Sequence, residues 1–143
     1  MTESRTFLLT GVTGFLGKVL LEELIRRREE MQVGKIYVLI RSRGSHKAVD
    51  RFAREVAKSP CFSRLPADWT RDVEVLEGTL EQPGLGFDGG REEICGEITH
   101  IIHAAASVSF ELPVADAARS NIVTALNVLE LARECPSLER IST

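Results

Sequence analysis

The chain is poor in the residue types that build disulfides, metal clusters and membrane spans. Its 143 residues include three cysteines, Cys61, Cys95 and Cys135, and no two of them form a C-x-x-C pair. This number and spacing favour reduced thiols over disulfide bridges or a zinc site. No apolar run approaches the ~18 residues that a membrane-spanning helix needs. Few residues precede the first apolar run, so we expect a cytoplasmic protein without a signal peptide.

An excess of charge of one sign is also lacking. The formal net charge is −3, from 18 Lys and Arg against 21 Asp and Glu. The basic residues are dispersed among acids, which argues against a nucleic-acid or anionic-membrane surface. With 43% hydrophobic and 27% charged residues, residues 1–143 have the composition of one soluble domain with a hydrophobic core.

The most informative stretch is residues 6–17, where an apolar run leads into Gly11, Gly14 and Gly17. The run Phe7–Leu9 is typical of a strand buried on both faces. A helical pattern follows over residues 18–28, with an apolar stripe that comprises Leu16, Val19, Leu20, Leu24 and Ile25. The sequence thus predicts a strand, a glycine turn and a helix in that order.

This order suits a dinucleotide, because glycines let the backbone approach a pyrophosphate and the helix N-terminus offers free N–H groups. The spacing G-x-x-G-x-x-G has one residue more than the usual G-x-G-x-x-G fingerprint. Ordinary tight turns can also contain three such glycines. The flanking strand and helix favour the dinucleotide site.

A second apolar run, Lys35–Arg41, predicts the next strand and is followed by Ser42 and Arg43. In dinucleotide folds the end of this strand faces the adenine ribose. An acid there binds the 2′-hydroxyl, whereas an arginine accommodates a 2′-phosphate. The next acid is Asp50, so Arg41 and Arg43 predict NADP rather than NAD. The alternative is that both arginines lie in a solvated loop.

The rest of the chain continues the alternation of helices and strands. A helix over residues 46–58 would bury one face, formed by Val49, Phe52, Ala53 and Val56. Strands are predicted over residues 72–77 and 98–106, and a fifth strand would begin at Leu138. Gly78, Thr79 and Leu80 would then lie at the carboxyl edge of a parallel sheet, where ligands bind.

Two features of the second half invite alternatives. His100 and His103 suggest a metal site, but three residues apart on a strand they point to opposite faces, so we favour a packed strand edge with one solvated histidine. A long helix opening at Pro113 has an inner stripe of Val114, Ala118, Asn121, Ala125, Val128, Leu129 and Ala132. A buried Asn121 would either tie down a neighbouring backbone turn or reach the active site.

Four segments together resemble the NADPH-binding domain of fatty acyl-CoA reductases, in the extended short-chain dehydrogenase/reductase superfamily. They are T-G-V-T-G-F-L-G-K-V-L-L (residues 10–21), Y-V-L-I-R (37–41), H-A-A-A-S-V-S-F (103–110) and Asn121. The glycine spacing is shared across the superfamily, whereas G-F-L-G-K-V-L-L and H-x-A-A-x-V-x-F are more specific to acyl reductases. The resemblance implies an α/β fold, a Rossmann-like doubly wound parallel sheet of strand order 3-2-1-4-5, truncated after the start of strand 5.

The resemblance also implies a role for individual residues. The pyrophosphate would be held by Gly11, Thr13, Gly14, Phe15, Leu16 and Gly17, and the 2′-phosphate by Arg41 and Arg43. The adenine would be flanked by Gly78, Thr79 and Leu80, the ribose and nicotinamide by Ala104, Ala105 and Ala106, and Asn121 would be the active-site asparagine. Many relatives have Asp at the position of Thr79, so this chain would lack that acceptor for adenine N6.

The catalytic tyrosine of the superfamily is followed four residues later by lysine and is supported by a Ser or Thr at the end of the fifth strand. The single tyrosine of this chain, Tyr37, is followed by Arg41, so the pair is absent, and Thr143 is the candidate for the supporting residue. We therefore expect the cofactor-binding N-terminal part of a longer reductase. Alone it would be inactive and able to self-associate through the truncated sheet edge.

The implied reaction is hydride transfer from NADPH to an acyl thioester, bound to CoA or to a carrier protein, giving an aldehyde or an alcohol. One alternative is a thioester reductase domain of a carboxylic acid reductase or peptide synthetase. Another is a different extended short-chain dehydrogenase such as a sugar-nucleotide epimerase, which shares the glycines but not the H-x-A-A-x-V-x-F run. A non-catalytic NADP-sensing module would also tolerate the missing tyrosine and lysine.

Overall fold

A five-stranded parallel sheet of order β3-β2-β1-β4-β5 organises the computed structural model, which describes residues 3–87, 89–105 and 113–143. The strands are β1 (Arg5–Thr10), β2 (Val33–Ile40), β3 (Val73–Glu77), β4 (His100–His103) and β5 (Arg140–Ser142). The predicted parallel α/β sheet and its strand order are confirmed. β2 begins earlier than predicted, β4 ends earlier and β5 begins later than Leu138; Ala106 lies outside the described residues.

Both faces of the sheet are covered, which explains the apolar run of β1. Phe7 and Leu9 pack into a core on one face, together with Leu21 of the first helix. Leu8 packs into a second core on the other face, together with Leu131 near the C-terminus. Leu8 and Leu9 have no exposed surface. A strand with helices on both sides must be apolar at successive positions, as the sequence predicted.

The helices are α1 (Phe15–Arg26), α2 (Arg28–Met31), α3 (Ala48–Arg51), α4 (Arg91–Glu97), α5 (Val114–Ala118) and α6 (Thr124–Arg133). The apolar stripe predicted for α1 is wrong at two positions, because Leu16 is 56% and Val19 41% exposed. The buried face is formed by Gly17, Leu21, Leu24 and Ile25. Gly17 has no side chain, so it is the residue at which the helix can approach the glycine turn most closely.

The segment after β2 also differs from its predicted pattern. α3 continues into a π-helical turn, Phe52–Val56. Phe52 and Val56 are buried as predicted, whereas Val49 and Ala53 are exposed. Ala48 and Arg51 take their place at the interface. An arginine is tolerated there because its guanidinium is hydrogen-bonded on several sides.

A second π-helical turn, Arg119–Val123, separates α5 from α6. A wide turn changes the angular position of the residues that follow it. The predicted inner stripe is wrong at Asn121 and Leu129, which lie within or after this turn and are exposed, and also at the exposed Val114, which precedes it. The buried residues of α6 are Thr124, Asn127, Val128 and Leu131. The buried amide is that of Asn127, whose Nδ2 donates to the carbonyl oxygen of Leu80 at 2.8 Å.

Both histidines of β4 are packed, so the expectation of one solvated histidine is wrong. Oγ1 of Thr10 lies 2.7 Å from Nδ1 of His103, and both residues are buried. The ring of His100 lies 4.9 Å from that of Phe7. Burial lowers the pKa of both histidines below the ordinary value of 6.5.

Within the described residues, no group of three or more His, Cys, Asp or Glu side chains is arranged to hold a metal ion. In the same part of the chain, no helix has both the length and the apolar character needed to cross a membrane.

The buried His103 predicts loss of stability in acid. The pKa of His103 is lower in the folded than in the unfolded chain, so the unfolded chain takes up the proton first as the pH falls. The stability that the neutral histidine contributes is therefore fully present above pH 6.5 and is lost as the pH falls below that value. Each such group can change the free energy of unfolding by up to ~1.4 kcal/mol per pH unit. His103→Gln, which keeps an acceptor for Thr10, should flatten the fall measured by urea unfolding between pH 7 and 5.5. His46→Gln, a matched change at an exposed position, should leave this fall unchanged. Equal slopes of the free energy of unfolding against pH for the unaltered chain and both variants would contradict the prediction.

Candidate functional site

The three glycines between β1 and α1 have different surroundings. Gly11 has a φ of +80°, and a Cβ there would lie 2.7 Å from the backbone of Ala104 and of Ala105. A Cβ on Gly17 would lie 2.0 Å from the carbonyl oxygen of Gly11, whereas a Cβ on Gly14 would meet only that oxygen, at 3.4 Å. Gly11 and Gly17 are thus required by packing. Gly14 is exposed and leaves the space in front of the turn open.

The N-terminus of α1 opens at this turn. Gly14 is the N-cap residue, no side chain caps the helix, and its first turn contains no acid. The N–H of Gly14 donates to the carbonyl of Gly11 at 3.0 Å, which closes the turn. The uncapped N–H groups of the first helical turn and the positive end of the helix dipole make this a suitable place for an anion.

A cleft of about 330 Å³ lies beside the turn, at the carboxyl ends of β1, β2 and β3. It brings together eight residues that the sequence predicted, namely Gly11, Thr13, Arg41, Arg43, Gly78, Thr79, Leu80 and Ala105. Gly14, Phe15, Leu16, Gly17 and Ala104 belong to the turn or its immediate surroundings but do not line the cleft. Asn121 and Thr143 are exposed and do not line it either.

The cleft wall also contains residues that the sequence did not single out. They are Val12, Leu39, Ile40, Arg51, Glu81, Ser120 and Thr124. Ser120 lies within the second π-helical turn and Thr124 directly follows it, and the Thr124 hydroxyl donates to the Ser120 carbonyl at 2.5 Å. This placement follows from the wide turn, which the sequence pattern does not reveal. Asn121 lies in the same wide turn.

Arg51 holds the basic side of the cleft in place. Its Nη1 donates to the carbonyl oxygen of Arg41 at 2.6 Å, and its Nε donates to Oε2 of Glu55 at 2.6 Å. The hydrogen bond from Arg51 lowers the pKa of Glu55, so this carboxylate stays ionised and balances the buried guanidinium. Arg41 and Arg43 remain exposed at the end of β2. The sequence contained an indication that Arg51 shares a helix face with Ala48 and Glu55. Arg51 lies three residues after Ala48 and four residues before Glu55, the spacings at which side chains on a helix are neighbours.

The opposite side of the cleft is a short segment that begins just after β3. The N–H of Gly78 donates to the carbonyl of Ile40 at 3.2 Å. A Cβ on Gly78 would lie 2.2 Å from the carbonyl oxygen of Leu85, so only glycine fits. The N–H of Thr79 donates to the same oxygen at 2.8 Å. The Asn127 amide then anchors Leu80, which makes this side as well fixed as the basic one.

Comparisons with known proteins agree with this geometry. The NAD-binding family model described as male sterility protein matches residues 9–143. Fatty acyl-CoA reductase 1 of Mus musculus is 35% identical over 141 residues, which cover 96% of this chain and 27% of that protein. The terminal R domain from the myxalamid PKS-NRPS biosynthetic pathway has a TM-score of 0.75 and 30% identity, covering 99% of this chain and 35% of that one.

A second R domain, from a nonribosomal peptide synthetase of Mycobacterium tuberculosis, gives a TM-score of 0.67 at 26% identity and covers 97% of this chain and 32% of that one. The present chain therefore spans about a quarter of the length of the curated mouse relative and about a third of the two R-domain structures. The family match begins within β1 and covers the glycine turn, the cleft and the other four strands.

The packing of the turn predicts a difference between two of its glycines. Gly17→Ala places a Cβ against a backbone carbonyl that has no room to move, so it should lower the free energy of unfolding by at least ~1 to 3 kcal/mol. Gly14→Ala meets no atom closer than 3.4 Å and should cost less than ~1 kcal/mol. Urea unfolding followed by circular dichroism measures both. Equal losses would show that α1 does not rest on Gly11 as described.

Proposed function

Since this chain belongs to the male sterility protein family of NAD-binding domains, we propose that it supplies the cofactor-binding part of an NADPH-dependent reductase of fatty acyl thioesters. One observation carries the proposal: the glycine turn that leads into the uncapped N-terminus of α1 lines the same cleft as the arginines at the end of β2. The first feature suits a pyrophosphate and the second a further phosphate. The names of the relatives, a fatty acyl-CoA reductase and two R domains, support the class of reaction.

The residues present fit a nicotinamide dinucleotide. The turn can admit a phosphate because Gly14 has no side chain and its surroundings are open. In this proposal the pyrophosphate is held by Gly11, Thr13, Gly14, Phe15, Leu16 and Gly17. The adenine lies between Gly78, Thr79 and Leu80, and the ribose and nicotinamide lie towards Ala104, Ala105 and Ala106. When bound, the cofactor supplies the hydride, and the chain holds and orients it.

The arginines support NADPH over NADH. Arg41 and Arg43 are exposed at the end of β2, where an acid would be needed to bind a free 2′-hydroxyl. Arg51 donates a hydrogen bond to the backbone carbonyl of Arg41, and the charge of Arg51 is balanced by Glu55. The two exposed guanidinium groups are therefore left to bind a 2′-phosphate, which arginine does in a charge-assisted and often bidentate way.

The single tyrosine does not take part in the proposed chemistry. Tyr37 lies within β2, and its hydroxyl donates to Oε2 of Glu97 at 2.6 Å. Burial and this hydrogen bond raise the pKa of Tyr37 to about 12. A phenol so placed is a structural group, and the role proposed for this chain is cofactor binding. Asn121 and Thr143 stay our candidates for contacts with the reacting groups, and the proposed substrate is an acyl thioester on CoA or on a carrier protein.

The first prediction of this proposal concerns cofactor choice. Calorimetric titration should show NADPH binding at least about tenfold more tightly than NADH, because a charge-assisted hydrogen bond contributes ~1.5 to 3 kcal/mol. Arg41→Ala should erase most of this preference and leave NADH affinity nearly unchanged. The exposed Arg133, which is far along α6 from the cleft, offers a control, and Arg133→Ala should keep the preference. Equal affinities for the two cofactors in the unaltered chain would rule out the proposed phosphate contact.

The second prediction concerns the open glycine. Gly14→Val should abolish NADPH binding, since a branched side chain would occupy the space in front of the turn. The variant should remain folded, because the neighbouring atoms leave room for it on the protein side. Titration and a thermal melt on the same sample separate the two effects. A folded Gly14→Val chain that binds NADPH normally would place the pyrophosphate elsewhere.

A further inference from the structure

Glu81 is the one carboxylate among the described residues that line the cleft, whose wall also contains Arg41, Arg43 and Arg51. Its side chain is exposed, and within the described part of the chain it forms no ion pair with any of these arginines. The arginines lie at the end of β2 and in α3, whereas Glu81 lies four residues past the end of β3. The cleft therefore has a basic side and an acidic side.

The backbone of the segment that carries Glu81 is held at three points. The N–H of Thr79 donates to the carbonyl of Leu85 at 2.8 Å, and the carbonyl of Leu80 accepts from Asn127 at 2.8 Å. The N–H of Glu81 donates to the Thr79 hydroxyl at 3.3 Å. The Thr79 hydroxyl is thus part of the turn itself. The exposed carboxylate of Glu81 is a charged acceptor on this side that a ligand can reach.

The cleft is also lined by Leu39 and Ile40 at the end of β2 and by Gly78 and Leu80 of the segment that carries Glu81. A flat ring suits such a slot, and its hydrogen-bonding edge would meet the polar group beside it. A carboxylate accepts hydrogen bonds and donates none. It would therefore favour a ring that presents an amino group over one that presents a carbonyl oxygen at the same position.

We propose that Glu81 accepts a hydrogen bond from the 6-amino group of the cofactor's adenine and selects adenine over a 6-oxo purine. This inference rests on the proposed function, because it takes the ligand of the cleft to be NADPH. It also accounts for Thr79, which stands where the family resemblance led us to expect an aspartate. Glu81 lies two residues further along the same segment, which Asn127 holds against α6.

The test compares NADPH with deamino-NADPH, which carries hypoxanthine in place of adenine and differs only at this edge of the base. Titration of the chain by intrinsic or nicotinamide fluorescence should give about tenfold weaker binding for deamino-NADPH. Glu81→Gln should erase this preference, because an amide can donate to the 6-oxo group as readily as it accepts from the 6-amino group. Glu92→Gln, an exposed change on α4 outside the cleft, should retain it.

Each other result overturns the inference in a recognisable way. Equal binding of the two cofactors by the unaltered chain would show that no group reads this edge, while NADPH binding itself would still support the proposed function. A preference that survives Glu81→Gln but is lost in Thr79→Val would assign the acceptor to position 79. If neither cofactor binds, the proposed function fails as well.

Discussion

The contact between Gly17 and the carbonyl of Gly11 is the constraint on which the rest of the site depends. No side chain fits between α1 and the glycine turn, since a Cβ at position 17 would come within 2.0 Å of that oxygen. The same turn is closed from the other side by the backbone of Ala104 and Ala105, at 2.7 Å from where a Cβ of Gly11 would lie. The end of β4, distant in sequence, thus meets the glycine turn and α1, and Gly14 leaves the space in front of the turn open.

The two sides of the cleft are fixed by the same device, a buried polar side chain that binds a backbone carbonyl. Arg51 binds the carbonyl of Arg41, and Asn127 binds that of Leu80. A loop held in this way keeps its own side chains available for a ligand. Burying Arg51 would be costly without a partner, and Glu55 supplies one through a 2.6 Å hydrogen bond. The arrangement therefore leaves exposed positive charge at Arg41 and Arg43, the residues that we propose for the 2′-phosphate.

The strands were predictable because a parallel sheet covered on both faces demands continuous apolar runs, and β1 and β2 provide them. The glycine turn was predictable for a similar reason, since its spacing between a strand and a helix leaves few other arrangements. The buried faces of the helices were not predictable in this way. Two π-helical turns, Phe52–Val56 and Arg119–Val123, change the phase of the segments around them. For that reason Asn127 and not Asn121 provides the buried amide, and Arg51 occupies an interface that was expected to hold Val49.

The sequence alone determined the order of the elements, the glycine turn and the basic residues after β2, because each of these depends on short-range spacing and residue type. Only the tertiary structure decided which polar residues meet at the cleft. Arg51 lies in α3, Glu81 follows β3 and Thr124 lies in α6, and these elements bring the three residues to one cleft. Gly17 permits the close approach of α1 to the glycine turn, and the wide turn before α6 changes which residues of that helix face the sheet. Neither effect can be read from a regular helical period.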